Sequence, residues 1–448
     1  MKVLEQVGVA FPQAEALAVF KRYGARVEAE RVYLSETQVM AALKDIPKQF
    51  TLHARNPKRS VTIGGGSLVF APGYGAPFLV DAEIGKRSAT LEDYIALAKL
   101  SHMLPNQDIT GHLLVEPEGV KVSYLHMLLA HMTHSDKPLM GSTVGRAGAQ
   151  ATLDMAQILF GGDLAGRAAF IGLINSLSPL GYSAEMLDAL LVYAQARQPL
   201  VLAACAMAGA TGPVTLAGAL AMQTAELLAG IVLTQLINPG TPVVFGSTST
   251  NIDMKTGGLC IGSPELSQLI AAQAQLARYY GIPSRSGGSL TDANSPDAQA
   301  GFEAMMALLT TANSGVDFVL HSAGILSSYL AFSYEKFVLD DEMCGMVRRL
   351  RSGFIVSPET LAYEVIAKVG PGGNYLMEDH TVDRCRTEFW KPSLCDRGGL
   401  EAWMGRGCQD AKARARVRWQ TLVRNHRDPE LDQIISRQLQ AYLQEHSS

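Results

Sequence analysis

Polar, mostly uncharged residues recur in one kind of place along this chain: just after short apolar runs. Tyr74 stands between Gly73 and Gly75. His112 and Glu116, Ser142 and Thr143, Asn175 and Ser176, and Thr211 follow later runs. Thr248, Thr250, Asn251 and Asp253 come next, then Arg285, Ser289 and Asp292, and finally His321 and Ser322. Such a set can bind and orient a small polar molecule. It lacks a lysine placed to seize a phosphate. Lys255, in DMKTGG, lies in a loop rather than at a run's end, so Schiff-base chemistry of the aldolase kind has no candidate.

His112, His126, His131 and His134 raise the question of a metal. Three of them fall in HMLLAHMTH, but His126 and His131 are five apart and do not share a helix face. No metal is expected there. The stretch RSGGSLTDANSPDAQ (285–299) places two glycines at the end of an apolar run. They would serve either a close approach of backbone to a ligand or a β-bulge.

The elements that must position these residues are visible as a rhythm. The runs are SLVFAPGYG (67–75), NQDITGHLLVEP (106–117), KPLMGSTVG (137–145) and AAFIGLINSLSPLG (168–181). PLVLAACAMAGATG (199–212), PVVFGSTSTNIDM (242–254), IPSRSGGSL (282–290) and VDFVLHSAGILSS (316–328) complete the eight. Most lie roughly 30–40 residues apart, the spacing of a strand–helix repeat. They alternate little, as strands buried on both faces should. Between them, 183–198 and 263–281 read as helices, the second capped by Ser263 with Pro264 at its first position.

The fold class expected is therefore α/β, a (β/α)8 TIM barrel over 61–345. A helical N-terminal cap (1–60) precedes it and a charged helical extension (346–448) follows. An open doubly wound sheet is the alternative, but neither GxGxxG nor GxxxxGK[ST] supports it. In a barrel, chemistry gathers at the C-terminal strand ends, where the polar set falls.

With 448 residues, 48% of them hydrophobic, and a net charge of −4, the chain shows no basic excess for nucleic acid. Its six cysteines form no CxxC pair, which fits free thiols in a reducing cytoplasm. The N-terminus has no signal-peptide pattern. One stretch, LAGALAMQTAELLAGIVLTQLI (216–237), has membrane length, but Gln223, Thr224, Glu226 and Gln235 interrupt it. It reads as a buried barrel helix carrying one functional or capped acid.

Several longer stretches carry a family resemblance. APGYGAPFLVD (71–81), HMTHSDKPLMGS (131–142), RSGGSLTDANSPDAQAGFE (285–303), VLHSAGILSSYLAFSYEKFVLDDE (319–342), VGPGGNYL (369–376) and HTVDRCRTEFWKPSLCDRGGLEAW (380–403) resemble the trimethylamine methyltransferase (MttB-like) family over essentially the whole chain. The resemblance implies transfer of a methyl group from an amine to the cob(I)alamin of a separate corrinoid protein. It implies no tightly bound cofactor of the chain's own. Founding members carry pyrrolysine at a position that falls at or near Leu290. None is written here, so the chain resembles the pyrrolysine-free branch, which acts on quaternary amines such as glycine betaine, proline betaine or carnitine. A barrel that has lost catalysis and only binds a betaine or the corrinoid protein is the alternative.

A quaternary ammonium already carries its charge and leaves as a neutral amine, so the barrel needs only to bind and orient it. Such a cation has no N–H to donate, and aromatic faces are the usual answer. Tyr74, Phe78, Tyr329 and Phe332 are candidate walls, with Phe354 a later lid. Asp253 and Asp292 would add charge. Arg285, His321 and Asn251 would hold a substrate carboxylate, and His112 is a further substrate-binding candidate. Glycines 287 and 288 would leave space for the family's special residue or a bulkier substrate. The apolar C-terminal helices fit a homo-oligomer.

Overall fold

The structure is a computed structural model and describes residues 1–81 and 85–447. Seven of the eight apolar runs form one parallel sheet. Its strands are β1 (Val69–Phe70), β2 (Leu139–Met140), β3 (Phe170–Asn175), β4 (Leu200–Ala204), β5 (Val243–Ser247), β6 (Ser284–Ser286) and β7 (Phe318–Val319). They lie in the order β1-β7-β6-β5-β4-β3-β2.

The eighth run, 106–117, is not a strand but touches both edges. The amides of Asp108 and Ile109 donate to the Phe70 carbonyl at 2.8 and 3.3 Å. Thr110 N–H donates to Pro138 O at 2.9 Å, and Thr110 O accepts from Met140 N at 2.9 Å. Regular pairing ends there because Asp108 takes the Phe70 amide on its carboxylate at 2.8 Å. Gly111 also presses so close to Met140 that a Cβ would stand 2.6 Å from that side chain.

A helix follows each run: α1 (Leu91–Met103), α2 (Ser123–His134), α3 (Gly145–Phe160), α4 (Ala184–Gln195), α5 (Leu216–Ile237), α6 (Pro264–Tyr280), α7 (Ala298–Asn313) and α8 (Tyr334–Ser352). Their starts are legible. Ser183, Ser263, Asp297 and Ser333 each accept an amide from the first turn of the helix they open. The inner face of the sheet holds Val69, Ile109, Met140, Ile171, Leu173, Val201, Ala203, Val244 and Phe318, and the helices pack against the outer face.

Helix α5 is the one described helix long and apolar enough to cross a membrane, yet two thirds of that stretch is buried in the core. Its acid is capped. Glu226 accepts from Ser176 Oγ (2.5 Å), Ser178 Oγ (2.8 Å) and Leu180 N–H (2.8 Å), pinning the loop beyond β3.

The N-terminal region is less helical than expected. Besides helices at Ala14–Arg22 and Glu36–Leu43, it holds a small antiparallel sheet of Val9–Ala10, Arg26–Glu28 and Arg31–Tyr33. Strands Gln49–Leu52 and Val61–Gly64 form a hairpin that spans residue 60. Leu52 and Ile63 from this hairpin join the inner-face cluster near the strands' N-terminal ends. At the other end of the chain, α9 (Ala411–Asn425) lies on α8 and α1, with Trp419 stacked on Tyr334 at 4.4 Å. Helix α10 (Gln433–His446) closes against α2 and α3.

Candidate substrate site

Side chains alternate along a strand, so residues two apart share a face. Register sets Ala203 beside Gly246, Gly246 beside Arg285, and Arg285 beside Phe318. Ala203 and Phe318 belong to the inner face, so Arg285 points inward too. Two small neighbours, Ala203 and Gly246, make room for it.

Arg285 is 2% exposed, and its Nε has no hydrogen-bond partner. Among the described residues its side chain forms no ion pair. Burial lowers its pKa to about 10, which leaves it charged at neutral pH. An unpaired buried guanidinium costs several kcal/mol, so the group awaits an anion.

Around it stands a ring of aromatic and imidazole groups. His321, one residue beyond Leu320 on the β7 side, has φ +64°. Ser327, Ser328 and Tyr329 follow at +51°, +53° and +74°. Left-handed backbone at non-glycine residues costs roughly 1–2 kcal/mol each, and four instances in one short loop mark a place held for function. The loop brings the Tyr329 ring to 4.9 Å from His321. The Tyr329 hydroxyl has no hydrogen-bond partner, and burial raises its pKa.

From β1, Tyr74 N–H donates to His321 Nδ1 at 3.1 Å, which leaves the His321 proton on Nε2. The Tyr74 ring meets His112 edge-on at 5.8 Å, and burial raises its phenol pKa to about 12. His112 is buried with an unpartnered Nε2, and burial lowers its pKa to about 4. His321 is lowered for the same reason, with Arg285 adding to the effect. Both imidazoles are therefore neutral at pH 7.

Three further residues complete the surround: Asn175 and Thr248, which stood in the polar strand-end set without an assigned role, and Cys205, which did not stand in it. Asn175 ends β3 in line with Ile171 and Leu173, and it is exposed. Cys205 continues the inner positions of β4. It is accessible although enclosed on nearly all sides, as a side chain bordering an internal cavity would be. Thr248 follows Gly246 on β5 and lies beside Tyr329. Period-two counting from the inner-face residues would have found all three.

Other expected residues lie elsewhere. Phe332 is fully buried and packs on Phe337 at 5.1 Å, filling the space beside Gly73 and Gly324. Phe354 is 77% exposed, beyond the end of α8. Phe78 has the Lys86 ammonium over its ring at 3.7 Å, in a hairpin with Gly85–Arg87.

Asp253 closes a surface turn, accepting from Lys255 N–H and Thr256 Oγ1. Asp292 clamps the amides of Ile261 and Gly262 at 2.8 and 2.9 Å and accepts from Ser328 Oγ at 2.7 Å. Asn251 accepts from Ser263 Oγ at 2.8 Å. Each of these three polar groups already has partners that fix a loop.

The histidines separate by role. His131 lies buried between Tyr94 Oη (2.8 Å) and Thr110 Oγ1 (2.6 Å). His134, at the end of α2 and so near the strands' N-terminal ends, meets Asp428 at 2.6 Å, and His426 joins them. That trio could hold a cation, but it is at the far end from Arg285.

Comparisons with known proteins decide the family. Residues 1–448 match the family described as Trimethylamine methyltransferase (MTTB). The chain belongs to the trimethylamine methyltransferase family. It is 47% identical to a glycine betaine methyltransferase of Desulfitobacterium hafniense, over 99% of this chain and 93% of that protein. It is 35% identical to a proline betaine:corrinoid methyltransferase of Eubacterium limosum, over 89% of this chain and 84% of that one. The fold resembles the monomethylamine methyltransferase of Methanosarcina barkeri, with a TM-score of 0.52 at 12% identity over 91% and 92% of the two chains.

Leu290, expected near the family's pyrrolysine position, is a fully buried core residue here. Its side chain occupies the space a Cβ on Gly287 would need, at 2.3 Å. A Cβ on Gly288 would stand 2.6 Å from Ser322 Cα. The two glycines thus permit close packing of the protein on itself and leave no extra space for a ligand.

Proposed function

We propose that this chain takes a methyl group from a betaine, a quaternary ammonium compound that also bears a carboxylate, and passes it to a corrinoid carried by a partner protein. The observation that carries the substrate class is Arg285, a buried cation with no anion of its own. A substrate carboxylate supplies that anion through charge-assisted hydrogen bonds. Tyr74 and Tyr329 offer ring faces to the trimethylammonium end. His321 Nε2–H and Asn175 would finish the carboxylate's hydrogen bonds.

The residues present fit an in-line displacement. The reduced cobalt of the partner's corrinoid supplies the nucleophile. This chain's groups hold the substrate, turn one methyl toward the open strand ends and keep water from the carboxylate. No proton needs to move, because the amine leaves neutral. Two neutral imidazoles and the absence of a described carboxylate at Arg285 agree with that. Simple trimethylamine would leave the guanidinium uncompensated.

Residues 106–117 in this reading close the sheet as the eighth strand of a (β/α)8 barrel, supported by their hydrogen bonds to β1 and β2. The enzyme is cytoplasmic, and the corrinoid stays with its own protein.

The test is methyl transfer to reduced cobalamin, followed spectroscopically, with glycine betaine, proline betaine, carnitine, choline and trimethylamine, both with and without a cognate corrinoid protein. Methylcobalamin should form with a carboxylated amine and not with choline or trimethylamine. Equal turnover of choline would remove Arg285 from the substrate class.

A further inference from the structure

Two histidines and an aspartate meet at the N-terminal ends of the strands, far from Arg285. His134 ends α2, just before β2. His426 and Asp428 come from the connection 426–432 between α9 and α10. Helix α9 lies on α8 and α1, and α10 lies on α2 and α3, so this connection crosses the end of α2.

The crossing converges on one oxygen. His134 Nδ1 stands 2.6 Å from Asp428 Oδ1, and His426 Nε2 stands 3.0 Å from it. One nitrogen or oxygen from each of the three residues lies within 4.8 Å of the other two. Ligands held about 2.1 Å from a tetrahedral zinc ion stand about 3.4 Å apart. Small side-chain rotations are therefore enough to admit an ion. Two imidazole nitrogens and one carboxylate oxygen suit zinc, whereas calcium and magnesium take oxygen alone.

Burial separates this cluster from an ordinary surface ion pair. The His426 side chain is 2% exposed and that of His134 16%. His426 Nδ1 is buried without a partner, and the His102 ring meets His426 edge-on at 5.3 Å. One 3.0 Å hydrogen bond is a small return for burying an imidazole whose other nitrogen is unsatisfied, and a metal–nitrogen bond offsets that cost. Asp428 is 51% exposed, so water can reach the open side and complete the coordination.

The nearby guanidinium groups are engaged elsewhere. Arg59 pairs with Asp136 at 2.9 Å. Arg55 donates to the carbonyls of Ser135 and Glu430. Two imidazoles are left to meet the Asp428 carboxylate.

We propose that His134, His426 and Asp428 bind one divalent transition-metal ion of the zinc class, which clasps the connection between α9 and α10 to the end of α2. The ion takes no part in methyl transfer, because it lies at the opposite end of the strands from Arg285. An ion that binds only the folded chain stabilises it by mass action. No short motif announces the site, since His134 and Asp428 are 294 residues apart.

The test strips the full-length protein with EDTA and titrates it with zinc against a competing chromophoric chelator. One ion per chain is expected, with a dissociation constant in the micromolar range or below, and the melting temperature should rise as zinc is added. His134→Gln and Asp428→Asn should each weaken zinc binding at least about 100-fold. Cobalt(II) added to the unaltered protein gives a second readout, independent of whether a variant folds. Its visible bands should report nitrogen and oxygen ligands without thiolate charge transfer, which separates this site from the exposed cysteines. Binding no tighter than millimolar, zinc affinity unchanged in both variants, or a thiolate spectrum would each overturn the proposal.

Discussion

The two ends of the parallel sheet treat buried polar groups in opposite ways. At the N-terminal ends, Asp317 accepts from Ser284 N–H at 2.9 Å, Ser284 Oγ at 3.1 Å and Gly66 N–H at 3.0 Å. Lys137 is buried as well, and it donates to the carbonyls of Ser101 and Leu104 at 2.7 and 2.8 Å, capping the end of α1. At the C-terminal ends, Arg285 Nε, His112 Nε2, Ser289 Oγ and Tyr329 Oη are buried without partners. Both ends carry the cost of desolvation. Asp317 and Lys137 recover it within the chain, whereas Arg285 is left for a ligand to complete.

The sharpest way to break this contrast is to remove Arg285. Arg285→Gln should lower kcat/KM for a carboxylated quaternary amine about 1,000-fold, or about 4 kcal/mol. The melting temperature should hold or rise, since an unpaired buried cation opposes folding. A large loss of thermal stability would mean that Arg285 is structural.

The opposite end should respond in reverse. Asp317→Ala orphans the two buried donors of Ser284 and releases the exposed Gly66 amide, and should cost about 3 kcal/mol of unfolding free energy by urea titration. KM of the surviving folded enzyme should stay unchanged.

A third comparison uses pH. Burial lowers the His112 pKa from 6.5 to about 4 in the folded state. The unfolded chain therefore binds the proton first. The stability contributed by neutral His112 is complete above pH 6.5 and is lost as pH falls toward 4, reaching about 3 kcal/mol. His112→Phe should flatten that part of the stability profile. An unaltered slope would place the acid sensitivity elsewhere, with His321 the next group to examine.

How much of this was legible in the sequence depends on what each residue's role requires. The apolar runs could be found because strands covered on both faces need continuous Val, Ile and Leu, and seven of the eight pair as parallel strands. Segment 106–117 fell short because Asp108 and Gly111 interrupt its pairing, which no apolar count records. Arg285 and His321 stood out as polar groups at strand ends. Asp253, Asp292 and Asn251 occupied the same kind of position but spend their hydrogen bonds on loops, and only coordinates show such partners. Phe332 failed for a related reason. A phenylalanine near a strand end reads alike whether its ring faces a cavity or fills the gap left by Gly73 and Gly324. Cys205 was overlooked because the counting stopped at residues with obvious chemistry, and Asn175 stood in the strand-end set without an assigned role.

The smallest expected effect concerns the aromatic walls. Tyr74→Ala removes a ring face but leaves the Tyr74 N–H bond to His321 Nδ1, because a backbone group makes it. Affinity for the quaternary ammonium should therefore fall by roughly 1–2 kcal/mol. Tyr74→Phe should keep most of that affinity, since a ring face survives without its hydroxyl. Isothermal titration of both variants with one betaine separates the possibilities. If the phenylalanine variant binds as poorly as the alanine one, the Tyr74 hydroxyl is the contact, and the cation lies against Tyr329 instead.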